Sequence, residues 1–258
     1  MELKNLPLIK RLIPSLRKNL RLVFRKHTFW TKINNIHYLL DIRQKQDREF
    51  YFKKDYEIYN FNYIYKNEFF KNSFIFIDIG SNIGIYTLIV GKNFNNCKQI
   101  ISIEPILSTF NRLKSNLKKN EINSFTTALN IALSNKDGKA KMKSESKKNQ
   151  IQLSKYEMSK VGDVEVETKV FDGLYQFEEE NIFIKCDVEG HEYKVIEGMK
   201  NTLIKNNCLI QIEIFSRNLY NTEKILKDLG YIILNKSKER DTFFFWKKNI
   251  KLEFYSIL

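Results

Sequence analysis

From residue 74 onward, short apolar runs alternate with longer amphipathic segments, and this alternation is the feature that most restricts the fold. A repeated order of strand, helix and strand produces a parallel sheet with right-handed crossovers. In such sheets, ligands bind beyond the carboxyl ends of the strands. The sequence therefore predicts an α/β domain whose functional site lies at one edge of its sheet.

The individual elements follow from the period of the apolar residues. The predicted strands are FIFIDIG, QIISIEP, a part of FTTALNIALS, KDGKAKM, NIFIKCDVEG, CLIQIEIF, YIILNKS and TFFFWKK. The predicted helices are IYTLIVGKNF, STFNRLKSNLKKNEI, EYKVIEGMKNTLIK and NTEKILKDLG. Residues 143–165 are polar, and we expect an insertion there that forms a hairpin.

The chain divides into two predicted parts, an N-terminal extension over residues 1–72 and an α/β domain over residues 73–258. Residues 35–72 predict one or two strands and a helix that lead into the domain. From Ser15 onward, apolar and basic residues recur at helical spacing, which indicates a basic amphipathic helix. This helix fits either a cap on the domain's own surface or a contact of residues 1–30 with an anionic membrane.

Composition excludes several classes of protein. The three cysteines, Cys97, Cys186 and Cys208, lack the spacing of a zinc or redox site, so we expect reduced thiols and no metal. The net charge of +14 is concentrated before the domain, where residues 1–72 hold 16 Lys and Arg against 7 Asp and Glu. Because the domain carries the smaller share of this charge, nucleic acid is an unlikely partner.

The sequence also indicates where in the cell the protein is expected. No apolar run reaches the roughly 18 to 20 residues that cross a bilayer. Basic residues interrupt the apolar stretches near the N-terminus, so these do not resemble the core of a signal peptide. We expect a cytoplasmic protein with, at most, peripheral contact with a membrane.

Acidic residues stand at the ends of four predicted strands: Asp78, Glu104, Asp187 and Glu213. One such acid fits a cap or a loop. Four acids on the carboxyl edge of one sheet would repel one another and lose hydration, so their placement favours a ligand site.

Gly80 and Gly84 flank a turn between a strand and a helix, in a chain that has nine glycines. Without a Cβ atom the backbone turns tightly and approaches a neighbour closely. A dinucleotide loop would have the pattern G-x-G-x-x-G, but Asn82 occupies the middle position and Asp78 precedes the turn. An acid there opposes a phosphate and suits a ligand with cations and hydroxyls. S-adenosylmethionine is such a ligand, and Glu104 is placed to accept hydrogen bonds from its ribose.

The sequence resembles the FkbM family of S-adenosylmethionine-dependent methyltransferases. The resemblance rests on FIDIGSNIGIYTLIV, ISIEP, NRLKSNLKKNEI, NIALSNKDGKAKM, VFDGL, IKCDVEGHEYKVIEGM and LIQIEIF, which occur in this order over about residues 75–215. It implies a class I methyltransferase fold, that is, a Rossmann-like sheet of seven mostly parallel strands whose last strand is antiparallel, with helices on both faces. It also implies O-methylation of a sugar, a glycan or a related small molecule.

The resemblance carries over residue by residue. It places Asp78, Gly80, Asn82 and Gly84 in the cofactor loop, with Ser81 standing where alanine is common. It implies that Glu104 meets the ribose and that Ala132 lies beside the adenine. The segments before residue 74 and at 143–165 match poorly, and we expect substrate selection there.

The predicted catalytic stretch is IKCDVEGHE. Methyl transfer to a hydroxyl requires removal of its proton, and Asp187 or Glu189 is the predicted base, with Lys185 orienting the carboxylate or the substrate oxygen. His191 is the alternative base because it titrates near neutrality when unperturbed. Glu192 and Glu213 are candidates for contact with the acceptor. Glu192 also fits a bracing role in this loop, as does Asp172.

Two other functions remain open at this stage. The first is ribose 2′-O-methylation of RNA, which a group of Lys185, Asp187 and Glu213 would suit. Two kinds of base methylation are excluded, because the three prolines, Pro7, Pro14 and Pro105, form neither the Pro-Pro motif that methylates exocyclic amines nor the Pro-Cys motif that attacks carbon 5 of a pyrimidine. The second is a binding module that keeps the fold without catalysis.

Overall fold

The computed structural model describes residues 27–53, 57–144, 156–159, 164–236 and 242–247. The predicted amphipathic helix that begins at Ser15 lies outside these residues. Thirteen strands are described: β1 (Thr28–Ile33), β2 (Ile36–Asp41), β3 (Phe74–Ile79), β4 (Cys97–Ile103), β5 (Thr126–Leu129), β6 (Ala132–Leu133), β7 (Gly138–Ser144), β8 (Tyr156–Ser159), β9 (Val164–Lys169), β10 (Asn181–Cys186), β11 (Asn207–Glu213), β12 (Tyr231–Lys236) and β13 (Thr242–Lys247).

The described helices lie mostly between the strands of the main sheet. They are α1 (Lys45–Phe52), α2 (Ile58–Lys66), α3 (Ile85–Asn93), α4 (Leu107–Lys119), α5 (Phe171–Leu174), α6 (Glu192–Glu197), α7 (Lys200–Lys205) and α8 (Ser216–Asp228). No described helix is long and apolar enough to cross a membrane.

The main sheet has seven strands in the order β12-β13-β11-β10-β3-β4-β5. Strand β13 runs antiparallel to both of its neighbours, and the pairs from β11 to β5 are parallel. The predicted class I fold, with its last strand antiparallel, is therefore confirmed. Strand β3 lies inside the sheet between β10 and β4, and all six of its residues are buried because helices cover both faces of the sheet.

Two apolar layers hold the sheet. Ile77 and Ile184 belong to the layer on one face, where they pack with apolar residues of α6, α7 and α8. Phe76 and Phe183 belong to the layer on the other face, where their rings stack with centroids 5.0 Å apart. The polar side chains of Asp78 and Lys185, two residues further along the same strands, follow these two phenylalanines on that face.

The lead-in segment packs directly on the α/β domain. Tyr38 and Leu40 of β2 share an apolar cluster with Leu113 of α4. Two asparagines also bind the backbone of β2: the N–H of Leu39 donates to Oδ1 of Asn116 in α4 at 2.7 Å, and Asn120, directly after α4, bonds both backbone groups of His37. Among the described residues of 35–72 there are one strand, β2, and two α-helices, α1 and α2, where one or two strands and one helix were expected, and β1 precedes this range and pairs with β2.

A second sheet has four strands in the order β6-β9-β7-β8. Strands β7 and β8 pair antiparallel from Lys141↔Ser159 to Ser144↔Tyr156, which agrees with the hairpin expected between residues 143 and 165. Strand β9 was not predicted, and it joins β7 to β6. This sheet lies beside the carboxyl edge of the main sheet, because β6 follows directly after β5.

Candidate active site

A cleft of about 720 Å³ opens at the carboxyl edge of the main sheet. Its walls come from the segments that follow β3, β4 and β10, together with β6, β7 and the first turn of α1. Seven of the predicted site residues line it: Gly80, Asn82, Glu104, Ala132, Asp187, Glu189 and His191. The carboxylates of Glu104 and Asp187 therefore face one common opening, as the positions of the strand ends predicted.

Gly80 follows β3 at a position where the fold leaves no room for a side chain. Its φ angle is +73°, and a Cβ atom at this position would lie 1.9 Å from the backbone oxygen of Asp187. The N–H groups of Gly80 and Ser81 both donate to the backbone oxygen of Ile103, each at 2.9 Å. The glycine thus allows the predicted cofactor loop (residues 78–84) to contact the predicted catalytic segment (residues 184–192) and the end of β4 through backbone atoms.

Two further residues of this turn also have left-handed backbone. Gly84 has a φ of +85° and precedes α3, and an added Cβ atom would lie 2.5 Å from Cδ1 of Leu113. Asn82 has a φ of +52°, a conformation that asparagine tolerates better than most residues. Ser81 is buried and does not line the cleft. Of this loop, Gly80 and Asn82 face the cleft, while Ser81 and Gly84 support the turn.

Glu104 is a buried acid whose carboxylate lies in the cleft. Its Oε2 accepts a hydrogen bond from the N–H of Asn82, and its Oε1 accepts one from the N–H of Ile106, both at 2.9 Å. Burial raises the pKa of Glu104 to about 7, although these two N–H groups favour the ionised form. The lone pairs that remain can accept hydrogen bonds from the hydroxyls of a ribose.

This pKa predicts that cofactor binding depends on pH. The ionised carboxylate accepts two ribose hydroxyls, whereas the protonated group loses acceptor capacity. We therefore expect the dissociation constant for the cofactor to rise as the pH falls below about 7, by up to about tenfold per pH unit. Calorimetry between pH 6 and pH 8.5 measures this, and Glu104→Gln should flatten the profile. An equally steep profile in that variant would show that another group titrates.

Asp78 has a different role from the one that the sequence predicted. Its side chain is fully buried and does not line the cleft. One oxygen, Oδ2, accepts hydrogen bonds from the backbone N–H and the hydroxyl of Thr87 in α3, at 3.1 and 2.6 Å. The other, Oδ1, lies 4.0 Å from Nζ of Lys185. Asp78 therefore supports the first turn of α3 and the charge of Lys185 from beneath the cofactor loop.

Lys185 is buried at the centre of the acidic residues. Its Nζ lies 3.5 Å from Oδ2 of Asp187 and 5.3 Å from the centroid of the Tyr86 ring. Burial alone would lower the pKa of Lys185, but the carboxylates of Asp187 and Asp78, with Glu57 and Glu213 behind them, raise it above its ordinary value. Lys185 is therefore a fixed cation at neutral pH, which suits the predicted role of orienting Asp187 and excludes a role as a base.

His191 lines the cleft but does not have the property for which it was considered. Burial, with a smaller effect from Lys194, lowers its pKa to about 4. Its Nε2 lies 3.0 Å from Oγ of Ser134, within hydrogen-bond distance. Because the imidazole is neutral and weakly basic at pH 7, the argument for His191 as a base that titrates near neutrality is wrong.

Of the next two predicted acids, Glu189 lies in the cleft and Glu192 lies outside it. Glu189 lines the cleft with a φ of +52°. Glu192 is buried outside the cleft, and its Oε1 accepts a hydrogen bond from the N–H of Gly190 at 2.6 Å. Asn218, which the sequence analysis missed, donates to the backbone oxygen of Gly190 at 2.8 Å. Glu192 and Asn218 thus brace the catalytic segment, and contact between Glu192 and an acceptor is not supported.

Two further acids lie away from the cleft. Glu213 ends β11 near Lys185 and does not line the opening. Asp172 accepts hydrogen bonds from the N–H groups of Asn201 and Thr202, so it caps the start of α7 and does not brace the loop of the predicted catalytic stretch. Among the residues that the structure describes, no group of three or more His, Cys, Asp or Glu side chains is arranged to hold a metal ion.

Several residues that line the cleft were not predicted from the sequence: Gln46, Ile106, Thr109, Met142 and Val188. Met142 and Ile106 pack together with Ala132 and Val166 into a small apolar cluster. Met142 belongs to the second sheet, which thereby supplies a wall of the cleft. No local motif marks these positions, because their place in the site depends on how the segments pack.

These lining groups fit the predicted cofactor. The apolar cluster around Ala132 offers a surface for a purine, and Glu104 offers acceptors for a ribose. At the other end, the carboxylate of Glu189 suits an ammonium group. Together with the strand order of the main sheet, this arrangement defines the class I methyltransferase fold.

The comparisons with known proteins identify the family. The family model described as "Methyltransferase FkbM domain" matches residues 78–233, more than half of the chain. The chain therefore belongs to the FkbM methyltransferase family. The prediction of this family is thereby confirmed. No curated protein matches the sequence.

Solved structures agree with the fold. The structure of a methyltransferase FkbM from Methylobacillus flagellatus KT is similar, with a TM-score of 0.52 and 15% sequence identity over 78% of this chain and 54% of that one. The present chain thus spans about half the length of that protein. A more distant similarity is to TYW2 of M. jannaschii in complex with AdoMet, with a TM-score of 0.42 and 10% identity over 85% of this chain and 83% of that one.

Proposed function

We propose that the protein transfers the methyl group of S-adenosylmethionine to a hydroxyl of a neutral acceptor, such as a sugar, a glycan or a related small molecule. The observation that carries this proposal is the position of Asp187. Its carboxylate lines the same cleft as Glu104, and Lys185 lies 3.5 Å from it on the side away from solvent. A fixed carboxylate beside the cofactor is the group that deprotonation of a hydroxyl requires.

The proposed chemistry divides between the cofactor and the protein. When bound, S-adenosylmethionine would supply an electrophilic methyl group, and its sulfur–methyl bond would break as it leaves as the neutral thioether S-adenosylhomocysteine. Asp187 accepts the proton of the acceptor hydroxyl while the hydroxyl oxygen forms its bond to the methyl carbon. Lys185 stabilises the ionised carboxylate beforehand and holds it in one orientation. The braces on Gly190 from Glu192 and Asn218 keep this segment in place.

We assign the base to Asp187 rather than Glu189 because of Lys185. The ammonium group lies against Asp187, and the N–H of Asp187 donates to the backbone oxygen of Ile79 at 3.0 Å, which fixes the residue to the end of β3. Glu189 also faces the cleft, on left-handed backbone two residues later. A carboxylate that is held in position contributes more to alignment of the reactants than one on a turn.

The charge around the acceptor side supports a neutral substrate. Asp187 and Glu189 line the cleft, and Glu57 and Glu213 lie close enough to Lys185 to raise its pKa. Of these groups only Asp187 and Glu189 line the cleft, and Lys185 lies buried behind Asp187, so this side of the cleft presents two carboxylates to an acceptor. Such a field repels a polyanion, so the described site disfavours RNA although the whole chain carries a charge of +14. A hydroxylated neutral acceptor meets no such barrier.

Transfer of a labelled methyl group tests this function. The protein is incubated with methyl-labelled S-adenosylmethionine and either neutral oligosaccharides or RNA of mixed sequence. We expect label in the carbohydrate fraction, at a rate that changes by less than about twofold between 50 and 200 mM salt. Label in RNA, with a rate that falls steeply over the same range, would contradict the proposal and establish ribose methylation. Binding of the cofactor without transfer to either class would favour a non-catalytic module.

A further inference from the structure

The corner between β2 and α1 reaches the cofactor cleft from outside the part of the chain that matches the family model. This corner comprises residues 44–47, that is, Gln44 before α1 and the first three residues of α1, whereas the match begins at residue 78. Gln46 lines the cleft together with Asn82, Glu104 and Thr109. A residue of the lead-in segment therefore forms part of the wall where the cofactor is held.

The side chain of Gln46 is in contact with the cofactor loop. Its Oε1 accepts a hydrogen bond from Nδ2 of Asn82. The backbone N–H of Asn82 in turn donates to Oε2 of Glu104 at 2.9 Å, so Gln46 is one residue away from the carboxylate predicted to meet the ribose. Within the described part of the chain, Nε2 of Gln46 has no protein partner, which leaves two N–H donors available in the cleft.

A buried ion pair holds this corner in place. Asp47 is 2% exposed, and its Oδ2 accepts a hydrogen bond from the N–H of Asp41 at 2.6 Å and contacts Nη1 of Arg112 at 2.5 Å. Arg112 lies on α4, one turn after Thr109, whose side of the helix faces the cleft. The ion pair thus holds the segment that carries Gln46 against α4, and both Gln46 and Thr109 of α4 line the cleft.

We propose that Gln46 is a cofactor-binding residue that donates a hydrogen bond to the ribose or the amino-acid end of S-adenosylmethionine. Glu104, when ionised, only accepts hydrogen bonds, and the ribose hydroxyls and the carboxylate of the cofactor present acceptors that it cannot satisfy. Gln46 supplies donors on the same side of the cleft. The lead-in segment then completes the cofactor site rather than selecting the acceptor.

The variant Gln46→Glu separates this role from a structural one. A glutamate at this position keeps an oxygen for Nδ2 of Asn82 but removes both N–H donors. We expect its dissociation constant for S-adenosylhomocysteine, measured by calorimetry without acceptor at pH 8, to rise at least about tenfold. Gln46→Ala should weaken binding by a similar factor. Lys45→Ala, at the exposed neighbouring position, should bind within about twofold of the unchanged protein.

Wild-type affinity in Gln46→Glu would overturn the proposal, because it would show that Gln46 only supports Asn82. Wild-type affinity in Gln46→Ala would overturn it as well, and this second variant serves if the first does not fold. The melting temperature of each variant without ligand verifies folding. No acceptor is present in these measurements, so their outcome is independent of the proposed acceptor chemistry.

Discussion

The variant Asp187→Asn should lose turnover by about 10²- to 10⁴-fold while keeping its affinity for the cofactor. Asparagine has nearly the same shape as aspartate but does not accept the proton of a hydroxyl. Asp187 meets the cofactor loop through its backbone, where its N–H donates to Ile79 and its carbonyl lies against Gly80, and the substitution leaves these contacts intact. Steady-state kinetics with a methylated acceptor and calorimetry with S-adenosylhomocysteine measure the two properties separately.

Glu189→Gln is the matched control for this experiment. It removes one carboxylate from the same cleft, two residues away, and leaves the pair of Lys185 and Asp187 unchanged. We expect a reduction in turnover of less than about tenfold. The opposite pattern, in which Glu189→Gln loses turnover and Asp187→Asn retains it, would transfer the role of base to Glu189. Retained turnover in both variants would mean that neither carboxylate removes the proton.

The second large effect is expected from Gly80→Ala. A Cβ atom at this position would lie 1.9 Å from the backbone oxygen of Asp187, so the cofactor loop and the catalytic segment must separate. The left-handed backbone at a φ of +73° costs an alanine about 1 to 2 kcal/mol, and overpacking adds about 1 to 3 kcal/mol. We expect the free energy of unfolding to fall by at least about 2 kcal/mol in a denaturant titration, together with loss of the ligand-induced rise in melting temperature.

Gly173→Ala is the corresponding control. An added Cβ atom at Gly173 meets no atom within 4 Å, and the residue lies in the short helix α5. Alanine is favoured over glycine in a helix by about 0.5 to 1 kcal/mol, so this variant should be as stable as the unchanged protein or slightly more stable. If Gly80→Ala unfolds at the same denaturant concentration as Gly173→Ala, the close contact between the loop and Asp187 does not exist in solution.

Much of the fold was predictable because its signals are local. The apolar strands, the helices between them and the returning strand β13 follow from the period of apolar residues. Where the prediction differed, a contact from elsewhere in the fold was responsible. Residues 192–205 were expected to form one helix, but α6 and α7 are separate. An added Cβ atom at Gly198, between them, would lie 2.1 Å from the backbone oxygen of Ser134, so the chain turns there against a distant segment.

The predicted site residues also divide into those whose position follows from a local sequence pattern and those whose position depends on packing. Glu104 and Asp187 line one cleft because carboxyl ends of neighbouring parallel strands meet at one edge, which the sequence pattern implies. Asp78 also ends its strand in the sequence, yet its side chain points into the layer beneath the loop. The alternation of side chains along a strand determines the face on which each acid lies, and the helix packed on that face determines whether the acid is buried.

By itself, the sequence determined the order of strands and helices, the family and the edge of the sheet at which the acids gather. These properties depend on residue type and on spacing along the chain. Only the tertiary structure decided that Lys185 remains charged, that burial gives His191 a low pKa, and that Gln46 reaches the cleft from the lead-in segment. These properties depend on burial and on distances between residues far apart in the chain, and the spacing of residues in a sequence does not specify them.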